Sequence, residues 1–330
     1  MVVTPRVETA SNSDLEALAR QRTAEGWLRS ETLLRAILAW DRGRIFLVRE
    51  GELNAAAEDP RTPIATTSAI AAGAVGVIGN VITSERYRRR GLGRLVMEAS
   101  LAWLRTCGVR AVLLDATEDG RPLYTKLGFV GQASSIFGHG ALAALNREAL
   151  ATLAGDRRAA LAELAEPGAL ARVAALDAAA FGGERIGFLA PQLTMPGHWL
   201  YVAGDTEGAP AGYVLARLLE APYSGIRIGP LVARDGATAA ALLAAALAPG
   251  APWRHEVEAH PTQREPQVFV SLPSTSAAAL ALFTAAGLTL VEDDLIMRLD
   301  FAAAESETYE APPLAERPDW LYAWLAPMVF

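Results

Sequence analysis

The sequence predicts a mixed α/β fold in two domains, and three observations carry that reading. The chain runs to 330 residues, more than one hydrophobic core usually organises. Short β-branched runs alternate with Ala- and Leu-rich helical stretches, the pattern of strands packed under helices. The second half also restates part of the first. "LYTKLGF" (Leu123 to Phe129) aligns with "LFTAAGL" (Leu282 to Leu288), which sets Phe283 opposite Tyr124. More weakly, "NVITSERYRRRGLGRLVM" has a counterpart in "GPLVARDGATAAALL".

The elements follow in order. "SNSDLEALARQRTAEGW" opens with an N-cap signal and repeats Leu15, Leu18 and Ala19 at helical spacing. "RIFLVREG" reads as a strand, and "NAAAEDPRTP" as a polar, Pro-containing loop. "GAVGVIGNVIT" (Gly73 to Thr83) is apolar and β-branched, as a buried strand requires. From Gly91 onward, Leu92, Leu95, Val96, Ala99 and Trp103 mark one face of a helix. "RAVLLDAT" is the next strand, and "RPLYTKLGF" a short helix closed by Gly128. "LNREALATLAGDRRAALAELAEPGAL" (Leu145 to Leu170) is expected to be helical and to carry the boundary between domains. Beyond it, "WLYVAGD", "AGYVLARLLE", "GIRIGPLVA" and "QVFVSLP" read as strands. "DGATAAALLAAAL" and "SAAALALFTAAG" read as helices, and "LTLVEDDLIMRLDF" as a closing strand pair.

Composition excludes several classes. Hydrophobic residues make up 52% and charged residues 20%, which suits a packed protein and not a disordered one. A net charge of −7 gives no global attraction for nucleic acid or anionic lipid, so any anion site is local. The single cysteine, Cys107, forbids a disulfide within the chain and a Cys-rich zinc site. The histidines, at 139, 198, 255 and 260, show no metal-ligand spacing, and no metal is expected. Neither a secretory leader nor a bilayer-spanning stretch is legible, so a cytoplasmic protein is expected.

The stretch "ERYRRRGLGRLVMEA" (Glu85 to Ala99) poses the functional question. Strand, tight basic turn, helix is a geometry that binds anions. The first N–H groups of a helix have no internal partner and sit at the positive end of its dipole. Glycines at 91 and 93 allow a phosphate to approach the backbone. The dinucleotide fingerprint fails, because Val96 stands where a third glycine belongs, and a P-loop's Gly-Lys-Ser/Thr is absent. A nucleic-acid surface would need interleaved aromatic residues, and only Tyr87 is near. A solvated helix start remains the alternative at this level.

The downstream context adds a resemblance. "RRRGLGRLVM", a helix, "AVLLDAT" and then "LYTKLGF" resemble the GNAT superfamily of acyl-CoA-dependent N-acyltransferases. Its Arg/Gln-x-x-Gly-x-Gly/Ala signature is matched by Arg88, Gly91 and Gly93, and its Tyr-x-x-x-Gly-Phe segment by Tyr124 to Phe129. "EGWLRS" and "IRIGPLVARD" extend the resemblance, more loosely, to a bacterial tandem-GNAT group. The resemblance implies two tandem GNAT-like domains, each a mixed, mostly antiparallel sheet flanked by helices. They would span 1–145 and, in degenerate form, 168–300. A helical linker (146–167) would join them, and an aromatic tail (301–330) would dock on the chain or on a second protomer.

It further implies that acetyl-CoA is the co-substrate. Its pyrophosphate would lie on the turn formed by Arg88, Arg89, Arg90, Gly91, Leu92, Gly93 and Arg94. Its pantetheine arm would run beside Val81, Ile82, Thr83 and Thr117, with an oxyanion donor near the Val81 amide. Tyr124 would give its proton to the departing thiolate. Asp115 is the first candidate for the base that deprotonates the acceptor, with Glu118 and Glu85 behind it; an N-cap role for Asp115 is the alternative. Trp27 is a candidate wall of the acceptor site, or a core residue. The resemblance implies direct attack by the amine with no covalent enzyme intermediate, and Cys107 reads as a packing residue. Phe283 cannot donate a proton, so the second domain is expected to be silent. The expected function is N-acetylation of a small amine-bearing metabolite by a monomer or homodimer, without nucleic-acid or membrane partners. A non-catalytic acyl-CoA sensor or scaffold is the alternative.

Overall fold

The computed structural model describes residues 5–54, 59–162, 169–181, 183–193, 195–204, 209–220, 223–259, 264–301, 319 and 321–323. The first half contains β1 (Glu8–Thr9), α1 (Leu15–Ala24), α2 (Glu31–Ala39), β2 (Gly43–Arg49), β3 (Pro63–Ala72), β4 (Val75–Thr83), α3 (Leu92–Thr106), β5 (Ala111–Ala116), α4 (Arg121–Lys126), β6 (Val130–Ala141) and α5 (Arg147–Ala154). The second contains β7 (Ala160–Leu161), α6 (Ala169–Phe181), α7 (Ile186–Leu193), β8 (His198–Gly204), β9 (Pro210–Leu218), β10 (Gly225–Ala233), α8 (Gly236–Ala246), α9 (Trp253–Ala259), β11 (Gln267–Pro273), α10 (Ala277–Ala285), β12 (Thr289–Asp300) and β13 (Leu321–Ala323).

Three local readings need correction. The helix expected over 145–170 is short: α5 ends at Gly155, whose φ of 54° suits glycine, and the chain then enters β7. The closing strand pair is one strand, β12, with a bulge after Glu292 that carries Asp293 and Asp294. Strand β3 has no counterpart in the sequence reading. It is "PIATTSAIAA", buried at every position, so it lacks the polar alternation that marks a one-sided strand. Of the aromatic tail, Leu321–Ala323 docks on this chain by pairing with β10. Trp320, Trp324 and Phe330 lie outside the described residues.

All the strands join in one sheet, in the order β1-β2-β3-β4-β5-β12-β6-β11-β10-β9-β8-β7. This order reads alike from both ends. β4 and β5 are parallel in the first half, β10 and β11 in the second. Each half then sends its last long strand across: β12 pairs with β5, and β6 pairs with β11. The two halves therefore share their central strands, and residues of β12 reach the first half's site.

One face of this sheet carries a core common to both halves. Leu18, Ile37 and Trp40 from α1, α2 and the turn after α2 meet Phe181, Phe188 and Leu200 from the second half, with Leu113 and Ile296 on the sheet beneath. The Trp40 and Phe188 rings lie 6.0 Å apart. The opposite face of the first half is covered by α3, whose Met97, Leu101 and Leu104 pack on Ile78, Val112 and Leu114. Behind the second half, α8 and α10 bury Leu242, Leu243 and Phe283.

A buried ion pair braces α6 and α7 against β9. Arg185 donates to both carboxylate oxygens of Asp177 at 2.9 Å, and Tyr213 donates its hydroxyl to the same group. Removing one partner strands the other charge in the core. Asp177→Ala is expected to cost about 3–5 kcal/mol, read as a fall in the denaturant midpoint, whereas an exposed pair such as Arg94–Glu98 should cost under about 1 kcal/mol.

Candidate active site

Strands β4 and β5 pair only from Val75–Ala111 to Val77–Leu113, and beyond that no register joins them. On its other edge β4 bulges against β3 between Gly79 and Ile82. The bulge is formed at Asn80, which takes a φ of 52° and has its side chain buried. Asn80 donates to Ser68 Oγ at 2.7 Å and accepts from the Arg22 guanidinium of α1. The result is a strand that leans away from its neighbour and opens a gap.

A cavity of about 1040 Å³ occupies that gap. It is lined by Glu25, Trp27, Val81, Ile82, Thr83, Arg88, Arg89, Gly91, Leu92, Gly93, Arg94, Thr117, Tyr124 and other residues of the same turn and of the stretch before and within α4. Most of the site residues expected from the sequence thus share one wall. Glu118 lines it also. Arg90 and Asp115 do not, and Glu85 is exposed on the turn before α3. Trp27 is half-buried, with the Arg22 guanidinium over its ring at 5.4 Å, so it is a cavity wall as well as a packing residue.

The arginine–glycine turn is more differentiated than its sequence suggests. Arg88 donates its backbone N–H to Glu85 O at 3.1 Å, and its side chain reaches Thr83 O at 3.1 Å and the Glu25 carboxylate. It therefore braces the loop while also lining the cavity. Arg90 lies over the Tyr87 ring at 5.2 Å, and Arg94 pairs with Glu98 at 2.7 Å. Arg89 alone of this run lines the cavity with no such side-chain commitment among the described residues. Positive φ at Arg89 (64°) and Gly91 (81°) folds the loop back on itself, as anion-binding nests do. The first amides of α3, from Leu92 to Arg94, have no carbonyl within the helix to meet. At Gly93 a Cβ would stand 3.3 Å from Thr83 Oγ1 and Leu123, a tight fit. Lys126, unremarked in the sequence, adds a cation to the wall.

Tyr124 is held by α4 on the far side of the gap, 5% exposed, with its ring edge-on to Phe129. Gly120 gives the ring its place: a Cβ there would lie 2.6 Å from it. Burial, with a smaller contribution from Asp294, pushes the phenol's pKa above its ordinary value, so Tyr124 keeps its proton at every physiological pH. Asp115 lies on β5, 4% exposed, with neither carboxyl oxygen hydrogen-bonded among the described residues. Burial, then Asp294 and Asp293, raises its pKa well above the carboxylate range. The N-cap alternative fails for Asp115, because it sits inside a strand. Asp294 is pushed up to about 6 by burial and by Asp293, against Arg121. It comes from the other half of the chain, and only the crossing of β12 brings it here.

The equivalent position in the second half is built differently. Asp235 caps α8, accepting from the Thr238 amide at 2.7 Å, and it pairs with Arg157. A carboxylate already holds the helix N-terminus where a phosphate would lie. Phe283, in the place of Tyr124, is fully buried in the core.

Comparison with known proteins agrees with this architecture. Residues 13–129 match the model of the Acetyltransferase (GNAT) family, and residues 173–309 match that of an Acetyltransferase (GNAT) domain. The chain belongs to the GNAT acetyltransferase family. As a tandem GNAT protein it is 30% identical over 168 residues to the uncharacterized N-acetyltransferase YitH of Bacillus subtilis (strain 168). That match covers 50% of this chain and spans about half, 54%, of the curated relative. A putative acetyltransferase from Pyrococcus horikoshii shares the fold across 98% of this chain and 95% of its own, with a TM-score of 0.69 at 20% identity. A tandem GNAT protein from the clavulanic acid biosynthesis pathway covers 92% of this chain and 100% of its own, with a TM-score of 0.62 at 14% identity. Among the described residues, no helix is long and apolar enough to cross a membrane, and no group of metal-binding side chains occurs.

Proposed function

We propose that the first half of this GNAT protein transfers the acetyl group of acetyl-CoA to a primary amine by direct attack in a ternary complex. The observation that carries the reading is one cavity that joins an anion-binding helix start, a gap between splayed strands and a buried tyrosine. Acetyl-CoA supplies an activated thioester. The amides of Leu92 to Arg94, with Arg89 and Lys126, hold its phosphates at the turn. The backbone at Val81 and Thr83 orients the pantetheine arm, and an amide at the Asn80–Val81 bulge takes up charge on the thioester oxygen. The Asp115–Asp294 pair receives the ammonium proton, through a water where needed. The amine nitrogen then bonds to the acyl carbon, the carbon–sulfur bond breaks as Tyr124 gives its proton to the leaving thiolate, and the nitrogen sheds its second proton, which restores the phenol. The products are the N-acetylated amine and CoA.

Asp235 and Phe283 support a silent second half, whose contribution is β12 and one side of the acceptor site. A monomer suffices for this chemistry.

The test is acetyl-CoA-dependent thiol release with primary amines across pH. kcat is expected to rise with pH through an apparent value near 6, where the Asp115–Asp294 pair begins to lose protons. Asp294→Asn should remove that limb and lower kcat by about 10²-fold. Absence of thiol release with every amine tried would overturn the catalytic reading.

A further inference from the structure

Arg22 is a cation in a place where a core side chain would pack. It lies in α1 and is 7% exposed. Burial depresses its pKa to about 10, and the Glu220 carboxylate opposes that shift. Holding a guanidinium there is costly, and an apolar residue of similar volume would fill the space as well. What the guanidinium adds is several donors fixed in one plane.

Those donors go to two separate parts of the first half. Nε donates to Leu28 O at 2.9 Å, and Nη1 donates to the Asn80 side chain. The Arg22 carbonyl accepts from the Trp27 amide at 3.0 Å, and the guanidinium covers the Trp27 ring. One residue thus ties the loop after α1 to the β4 bulge. Glu25 and Trp27 of that loop line the cavity, and so does Val81, the residue after Asn80.

A third tie comes from the second half. Glu220, just past β9, faces Arg22 and accepts from the Ser30 amide at the start of α2. Ser30 and Asn80 both take a positive φ without being glycine, 48° and 52°. Such conformations persist where the surroundings over-determine them. Arg22 and Ser68 hold Asn80, Glu220 holds Ser30, and the Glu220 charge steadies Arg22.

Resting on the acetyltransferase reading above, we propose that Arg22 is a positioning residue for acyl transfer and that Glu220 of the second half sets it. Arg22 is not among the residues that line the cavity, so it acts through Asn80 and Trp27. It fixes the bulge that aims an amide at the thioester oxygen, and it fixes the Trp27 loop that walls the acceptor site. Bulge and loop are coupled because they share one guanidinium. Through Glu220 the second half shapes the first half's site by a route separate from β12.

The experiment measures acetyl-CoA-dependent thiol release with a primary amine that the wild type turns over. kcat is counted per acetyl-CoA-binding site, so unfolded protein does not enter. Arg22→Met keeps the volume and removes the donors. It should lower kcat by about 10- to 100-fold, the range for a displaced site group or oxyanion donor. Acetyl-CoA affinity should stay within about 3-fold of wild type, because the phosphates are held at the turn and only the transition state loses a contact. Glu220→Gln keeps an acceptor for Ser30 and removes the charge that faces Arg22. A loss in kcat of about 3- to 10-fold is expected, with no further loss when it is combined with Arg22→Met, since both act through one guanidinium. Glu220→Gln changes a half-buried position and decides the matter by itself if Arg22→Met does not fold. Wild-type kcat in Glu220→Gln would overturn the proposal, as would losses that multiply in the double variant. If the wild type releases thiol and the variants keep its kcat, the positioning proposal fails alone; if the wild type releases none with any amine, the acetyltransferase reading fails with it.

Discussion

Tyr124→Phe is expected to bind acetyl-CoA with unchanged affinity and to turn over about 10²- to 10⁴-fold more slowly, the usual contribution of a positioned general acid. The substitution removes one oxygen from a ring set by Gly120 and Phe129, so packing is retained. The phenol is strongly biased to its protonated form by burial, which makes it a donor and never a base at neutral pH. A thiol's pKa of ~8.5 lies below that of the phenol, so the thiolate is stabilised by the phenol's hydrogen bond as the carbon–sulfur bond breaks, and net transfer is completed by the proton that the new amide nitrogen sheds. Measurement of kcat beside a binding titration separates this outcome from a structural one. An equal loss of acetyl-CoA affinity would assign Tyr124 to packing.

Asp115→Asn carries the second large expectation, and its two parts oppose each other. Activity should fall by about 10²-fold, because the Asp115–Asp294 pair, which keeps a proton on Asp115 and accepts the amine's on Asp294, loses a member. Stability at neutral pH should rise. The folded-state pKa of Asp115 is raised, so below about pH 4 both folded and unfolded chains keep the proton and the substitution is nearly neutral. As pH climbs from there toward the raised folded value, the unfolded chain gives up its proton while the folded one holds it. Wild-type stability declines over that window; the asparagine variant has no such decline. A gain in Tm of roughly 2–4 °C at pH 7.5 that disappears near pH 4 is the expected profile. A lower Tm at neutral pH would show that Asp115 is ionised and paired in the folded protein.

What could be read from the sequence was what is local. The N-cap before α1, the apolar face of α3, the Gly-x-Gly turn and the α4 segment ending at Gly128 each lie within a few residues, and all formed where expected. The repeat gave the correspondence of Tyr124 and Phe283, and both sit in matching helices before the exchanged strands. The rest depends on distant contacts. No periodicity signals that β12 crosses to β5, and without that crossing Asp294 is only an acid in a strand. Arg22 looks like an ordinary helix position until the fold brings Leu28, Asn80 and Glu220 to it. Arg88 fits the family signature, but its hydrogen bonds go to Glu25, just past the end of α1, and to Glu85 on the turn, and the motif names neither.

The place where acetyl-CoA binds decides the function of the first half. Isothermal titration of the full chain with acetyl-CoA, beside a Gly91→Val variant, addresses that directly. The variant places a β-branched side chain where the loop needs a φ of 81°, so the turn cannot close around a phosphate. One acetyl-CoA per chain is expected for the wild type and none, at the same concentrations, for the variant. Two per chain, or undiminished binding in the folded variant, would contradict it.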